Sequence, residues 1–155
     1  LRLGTVYGYS RGHRIDLVVN RMAWDAVKHG RVNVTGNAAR PLVHVEDAAD
    51  AVRWAVENRP QGIYNVVGEN WRMGDLGETV AAAAGVECVQ SEADADARDY
   101  FALSDKIVAA GYRPSRRVGD TILYLIQKTK QLPDGRYYER LPIARPLFNP
   151  GWSKK

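Results

Sequence analysis

A single cysteine, Cys88, stands in the 155-residue chain. One thiol cannot close an internal disulfide, so the expectation is an inert, buried thiol in a reducing cytoplasm. Long apolar runs are missing too. None approaches the roughly 18 residues that a membrane-spanning helix needs, and no membrane partner is expected. No charged, then apolar, then small-residue leader opens the chain, which argues against secretion. The histidines are few: His13, His29 and His44. None pairs with another His, Cys or carboxylate at ligand spacing, so no metal site is expected. Both phosphate-cradling loops, G-x-x-x-x-G-K-[ST] and G-x-G-x-x-G, are absent as well.

Charge of both signs is present, with 22 Lys and Arg against 18 Asp and Glu, a net +4 and a pI near 9.3. The positive charge gathers in "RGHR" at 11–14, "RPSRR" at 113–117 and a terminal "SKK". No basic stretch is interleaved with aromatics as a base-stacking platform would be. Nucleic acid is therefore not an expected partner; a pocket for an anionic small molecule suits a modest excess.

Apolar periodicity alternates between strand and helix along the chain, which indicates an α/β protein. Strands are expected at 1–7, 31–36, 41–45, 62–68 and 86–91. Helices are expected over 14–30, from Asp47 to about Asn58, from Asp75 to Gly85, over 104–111 and over 118–132. Asp47 is expected to cap the second helix, with Ala48, Ala51, Val52, Ala55 and Val56 facing inward. Asp75 and Glu78 form a capping-box-like pair, and Ser104 a cap for the short fourth helix. "VVGENWRMGDLG" reads as a turn leading into a helix, with Gly68, Gly74 and Gly77 as turn and cap residues. After Leu132 the chain holds Pro133, Pro142, Pro146 and Pro150, an irregular tail over 132–155. Tyr124 and Lys128 stand at Y-x-x-x-K spacing, in a stretch that reads as an amphipathic terminal helix.

The opening "LRLGTVYG" begins with Leu1 and reads as the middle of a longer sequence. It resembles L-R-x-x-N-V-Y-G of the extended short-chain dehydrogenases/reductases, the NAD-dependent epimerase/dehydratase family acting on nucleotide sugars. "RIDLVVNRM" resembles that family's segment entering the substrate domain. "RPLVHVEDAADAV" resembles R-x-[FYL]-[VI]-H-V-x-D-x-A-x-A, and "GIYNVVG" resembles G-x-Y-N-[VI]-G. "RDYFALSDKIVAAGYRP" resembles R-x-Y-x-x-S-x-K-[AI] with the G-[FY]-x-P that follows it. The segments run in family order from residue 1 to about 131.

The resemblance implies the last strands of a partial Rossmann-type sheet plus the small substrate-binding domain of an extended short-chain dehydrogenase, over 1–131. It implies that Arg40 reaches the diphosphate of a nucleotide sugar, that Asn20 hydrogen-bonds the substrate, and that Arg98 is a second phosphate or nucleotide contact. Thr5 stands at the family's usual Asn and would face the sugar. Arginine suits such a role, because its planar guanidinium matches phosphate oxygens and stays charged. NAD(P) is the cofactor implied for a full-length member. This chain lacks the Gly-rich βα turn that holds a dinucleotide pyrophosphate, so only the backbone of Gly4 to Val6 is expected near a nicotinamide, and no cofactor is expected to bind the chain alone. Without the family's catalytic Tyr-x-x-x-Lys, it is expected to be inactive by itself, and to form a homodimer or to join a separate amino-terminal half. The alternative is a non-enzymatic binding or assembly module.

Overall fold

Gly4 divides the first expected strand in two. In the computed structural model, which describes residues 1–10, 12–91 and 98–132, β1 (Arg2–Leu3) pairs in parallel with β5 (Asn65–Val66). One residue later, β2 (Thr5–Tyr7) pairs in parallel with β4 (Ala39–His44), Thr5 opposite Leu42 and Tyr7 opposite His44. A Cβ on Gly4 would stand 2.9 Å from the Pro41 carbonyl oxygen, so only glycine lets β4 press against the chain where it changes partners.

The other side of β4 carries β6 (Glu69–Arg72), antiparallel, with Arg40 opposite Trp71. The run read from sequence as turn and helix entrance is therefore a strand. β3 (Arg31–Thr35) and β7 (Glu87–Ser91) make a separate parallel pair. β3 alternates exposed and buried residues as a half-covered strand should. Every residue of β4 is buried.

Helix α1 (Val18–His29) starts later than expected and ends at Gly30, in the left-handed region at φ 66°. It packs with α3 (Met73–Ala84) and α5 (Val118–Lys130). Their inner faces meet β3 and β4 in the larger core, built on Val19, Met22, Val32, Val34, Leu42, Leu76, Val80, Ile122 and Leu125. Each such side chain contributes roughly 1.5–3 kcal/mol by leaving water. Gly77 lies inside α3, not at its cap, and a Cβ there would run into Val34; its absence brings α3 down onto β3. The expected Asp75–Glu78 cap is not used. Asn37 supplies it, its Oδ1 accepting from Gly74 N at 3.0 Å.

A smaller core joins β4, β5, α2 (Val45–Asn58) and α4 (Asp105–Ala109) through Val43, Ala48, Ala51, Val66 and Ile107. His44, not Asp47, caps α2, its Nδ1 accepting from Glu46 N at 3.3 Å. Asp47 is buried. Its Oδ2 accepts from the backbone N–H of Ser115 (3.0 Å) and Arg116 (2.9 Å), and its Oδ1 from the Arg116 guanidinium at 2.6 Å. Of the expected inner face of α2, Val52 and Val56 are instead 51% and 70% exposed. Ser104 stands at the N-cap of α4 as expected, but its hydroxyl makes no cap hydrogen bond; it donates to Val67 O (2.6 Å) and accepts from Val67 N (3.2 Å). Within 62–68 only Asn65 and Val66 are paired, and Ile63 is exposed. The proline-rich tail from Pro133 onward lies outside the described residues. No described helix is long and apolar enough to cross a membrane.

Candidate functional site

Between the α1 side of the molecule and the β2–β4 ladder lies a cavity of about 490 Å³. Thr5 enters from β2, Arg40 from β4 and Arg98 from the segment leading to α4; Asn33–Thr35 of β3 form another wall. The approach to α1 and its first turns contribute Asp16, Leu17 and Arg21. Three of the four sequence-derived substrate residues, Thr5, Arg40 and Arg98, thus meet at one cavity although up to 93 positions separate them.

Arg40 is only 8% exposed. Its Nη1 donates to its neighbour's carbonyl, Ala39 O, at 2.7 Å and to Arg98 O. The Tyr100 ring lies 5.8 Å from its guanidinium carbon, a cation–π distance. Residues 98–104 are laid along β4 and β6 by polar ties. Ala39 N donates to Asp99 Oδ1 at 2.8 Å, and Asn70 exchanges two hydrogen bonds of 3.0 Å with the Ala102 backbone. Those ties fix where Arg98 reaches the cavity.

Asn20 does not line the cavity. It is 2% exposed in the first turn of α1, and its carboxamide is engaged by Gly8 and Arg14.

Asp16 and Arg21 were not singled out in the sequence, because both read as ordinary polar positions of an amphipathic helix. The signal was the i, i+4 spacing of Arg21 and Asp25 and the closeness of Arg14 to Asp16. Arg21 Nε donates to the buried Asp25 at 2.9 Å. Arg14 Nε donates to Asp16 Oδ1 at 3.0 Å, and this hydrogen bond, ahead of all other influences, lowers the Asp16 pKa from its ordinary value. Among its described lining residues the cavity therefore gathers three guanidiniums and one ionised carboxylate. Such a lining suits a ligand with a multiply charged anionic end and a hydroxyl-bearing end.

Other chemistry is placed elsewhere. Tyr124 and Lys128 sit on α5 outside the cavity. The ammonium lies 5.3 Å from the Tyr124 ring and 5.7 Å from that of Tyr9, a cation–π arrangement that holds the Tyr9 segment. Burial pushes the Tyr7 pKa up to about 12, so that phenol stays neutral. Among the described residues no His, Cys, Asp and Glu group could hold a metal ion.

Gly4 N donates to Val66 O at 3.0 Å, and Val6 is in register with Val43. The need for glycine at position 4 is met by the approach of Pro41. No cradle for a pyrophosphate is built from these residues.

The parallel strands flanked by helices are those of the Rossmann-like short-chain dehydrogenase fold. Residues 1–67 match the family model of the NAD dependent epimerase/dehydratase family, the family that the ordered motifs resemble. Solved structures agree. The UDP-glucose 4-epimerase of Thermus thermophilus, complexed with NAD, is 26% identical with a TM-score of 0.71, over 85% of this chain and 46% of that one. The RMD protein of Pseudomonas aeruginosa, complexed with NADPH, is 20% identical with a TM-score of 0.70, over 84% and 47%. The UDP-glucuronic acid 4-epimerase of Bacillus cereus, in complex with UDP-glucuronic acid and NAD, is 19% identical with a TM-score of 0.67, over 85% and 45%. The chain spans about half the length of these structures.

Proposed function

We propose that this chain is the substrate-binding portion of a nucleotide-sugar epimerase/dehydratase. The observation that carries this reading is the meeting of Thr5, Arg40 and Arg98 in one cavity, where the family resemblance assigns each a substrate contact. Arg40 and Arg98 hold the diphosphate, and Arg21 adds positive charge to the same wall. Thr5, on the strand that adjoins them, faces the sugar. NAD(P), bound by the solved relatives named above, supplies hydride chemistry when present. This chain's residues bind and orient the nucleotide sugar, and catalysis needs residues beyond those described. The exposed apolar side chains of β1 (Leu3), of α2 (Val52 and Val56) and of the approach to β5 (Ile63) support association with a second chain or a further half of the same protein. The function is exercised in the cytoplasm. Calorimetric titration of the chain with UDP-glucose and with UDP tests the reading. Binding of both is expected, and absence of binding by either at millimolar ligand overturns it.

A further inference from the structure

Asn20 occupies the first turn of α1, whose cap residue Leu17 makes no side-chain cap hydrogen bond. The carboxamide reaches back instead. Its Oδ1 accepts from Gly8 N at 2.9 Å, and its Nδ2 donates to Arg14 O at 2.9 Å and to Gly8 O at 3.4 Å. One side chain thus grips both ends of the stretch from Gly8 to Arg14. Gly8 has φ 114°, and a Cβ there would stand 2.8 Å from His44 Nε2. The chain is therefore confined between Asn20 and the end of β4. Immediately beyond Arg14 it delivers Asp16 and Leu17 to the cavity wall.

We propose that Asn20 is a positioning residue for ligand specificity, resting on the nucleotide-sugar reading of the cavity. By fixing Gly8 and Arg14 it sets the place of Asp16, the one carboxylate among the described lining residues, which accepts hydrogen bonds from the hydroxyls of the sugar. The guanidiniums of Arg40 and Arg98 stand on other elements, and that of Arg21 is held within α1 by Asp25 at 2.9 Å, so none of the three depends on this clamp. Asn20 therefore acts on the sugar end of the ligand and leaves the diphosphate end unchanged. The resemblance expects a direct substrate contact from this residue; the geometry points to an indirect one.

The test uses the whole chain with Asn20→Ala and Asn20→Asp. The second variant keeps the size and an acceptor for Gly8 N, but sets a carboxylate oxygen against the carbonyls of Gly8 and Arg14. Three readouts are taken: melting temperature, tryptic cleavage after Arg14 without ligand, and affinity for UDP and for UDP-glucose. Cleavage should quicken at least 10-fold in a variant that still melts cooperatively. Affinity for UDP-glucose should fall at least 10-fold, and that for UDP by less than twofold. A merely structural role would lower both affinities together, and that result overturns the specificity role. Unchanged cleavage in both variants overturns the clamp. Wild-type chain that binds UDP but gains nothing from the glucose also refutes the assignment to Asp16. Wild-type chain that binds neither ligand refutes the nucleotide-sugar reading and the specificity role with it, while the cleavage rates still decide the clamp.

Discussion

Replacing Arg40 by alanine removes a fork of donors from the wall of the cavity. A hydrogen bond to a charged group contributes about 1.5–3 kcal/mol, which is roughly a 10- to 150-fold loss of affinity. The same guanidinium also donates to Ala39 O and to Arg98 O, so some stability goes with it. Ala39 O keeps a second partner in Tyr100 N at 3.4 Å, which limits the cost to about 1–2 kcal/mol. For a chain of this length that lowers the melting temperature by roughly 2–4 °C per kcal/mol, leaving the variant folded at 25 °C. Calorimetry with UDP and with uridine separates the two effects. Loss for UDP with little change for uridine is the expected result, since only UDP carries the phosphates. Arg40→Lys should fall between, keeping the charge without the fork. Arg98→Ala should cost less than Arg40→Ala, because Arg98 is exposed and water screens its charge. Equal UDP affinity in wild type and Arg40→Ala refutes the diphosphate assignment, and equal loss for UDP and uridine shows that Arg40 acts through the fold alone.

The chain alone should show no micromolar affinity for NAD or NADP, the backbone of Gly4 and Val6 being tied into the sheet; a calorimetric titration reaching that range contradicts this. Stability should fall as pH drops below about 6.5. His13 and His44 are buried, and burial, the leading influence on both, lowers their pKa values. The unfolded chain therefore takes up protons that the folded chain refuses, at up to ~1.4 kcal/mol per pH unit for each group. Urea titrations from pH 8 to 5 follow this, and His13→Phe should flatten the slope; a profile flat to pH 5 in wild type contradicts it. The chain should not remain a monomer at high concentration, given the open face of α2. Light scattering at monomer mass across a hundredfold concentration range, with no partner present, rules this out.

What the sequence made legible was whatever depends on neighbours in the chain. The periodicity of α1 and its stop at Gly30, the alternation of β3 and the run of β4 all follow from local pattern, and the structure has them within a few residues. β6 was missed because "ENWR" has no alternation. It is a strand because β4 offers an open edge, which only the folded chain supplies. The caps went the same way: Asn37 displaces Asp75 at α3 from 37 positions away, and nothing local foretells that. The stripe of Val52 and Val56 was read correctly as apolar and wrongly as covered, because no described residue covers it. At the cavity, Thr5, Arg40 and Arg98 were reachable through motif resemblance. Asp16 and Arg21 were not, since the wall they join is formed from elements distant in sequence.

The carboxylate of Asp47 sets a lower bound on the folding unit. Its backbone donors come from Ser115 and Arg116, 68 and 69 positions along the chain. A ribosome must release both before α2 can bury that charge with its partners, so the contact forms late in synthesis and only after a long loop has closed. The segment 1–67 that the family model matches ends before β6, α3 and those donors. Expressed by itself, it would lack those donors and also Leu76, Val80, Ile122 and Leu125 of the larger core. The stretch matched by the family model and the part able to fold are therefore different lengths of chain, and a library of truncations selected for solubility should find its shortest survivors only beyond Arg116.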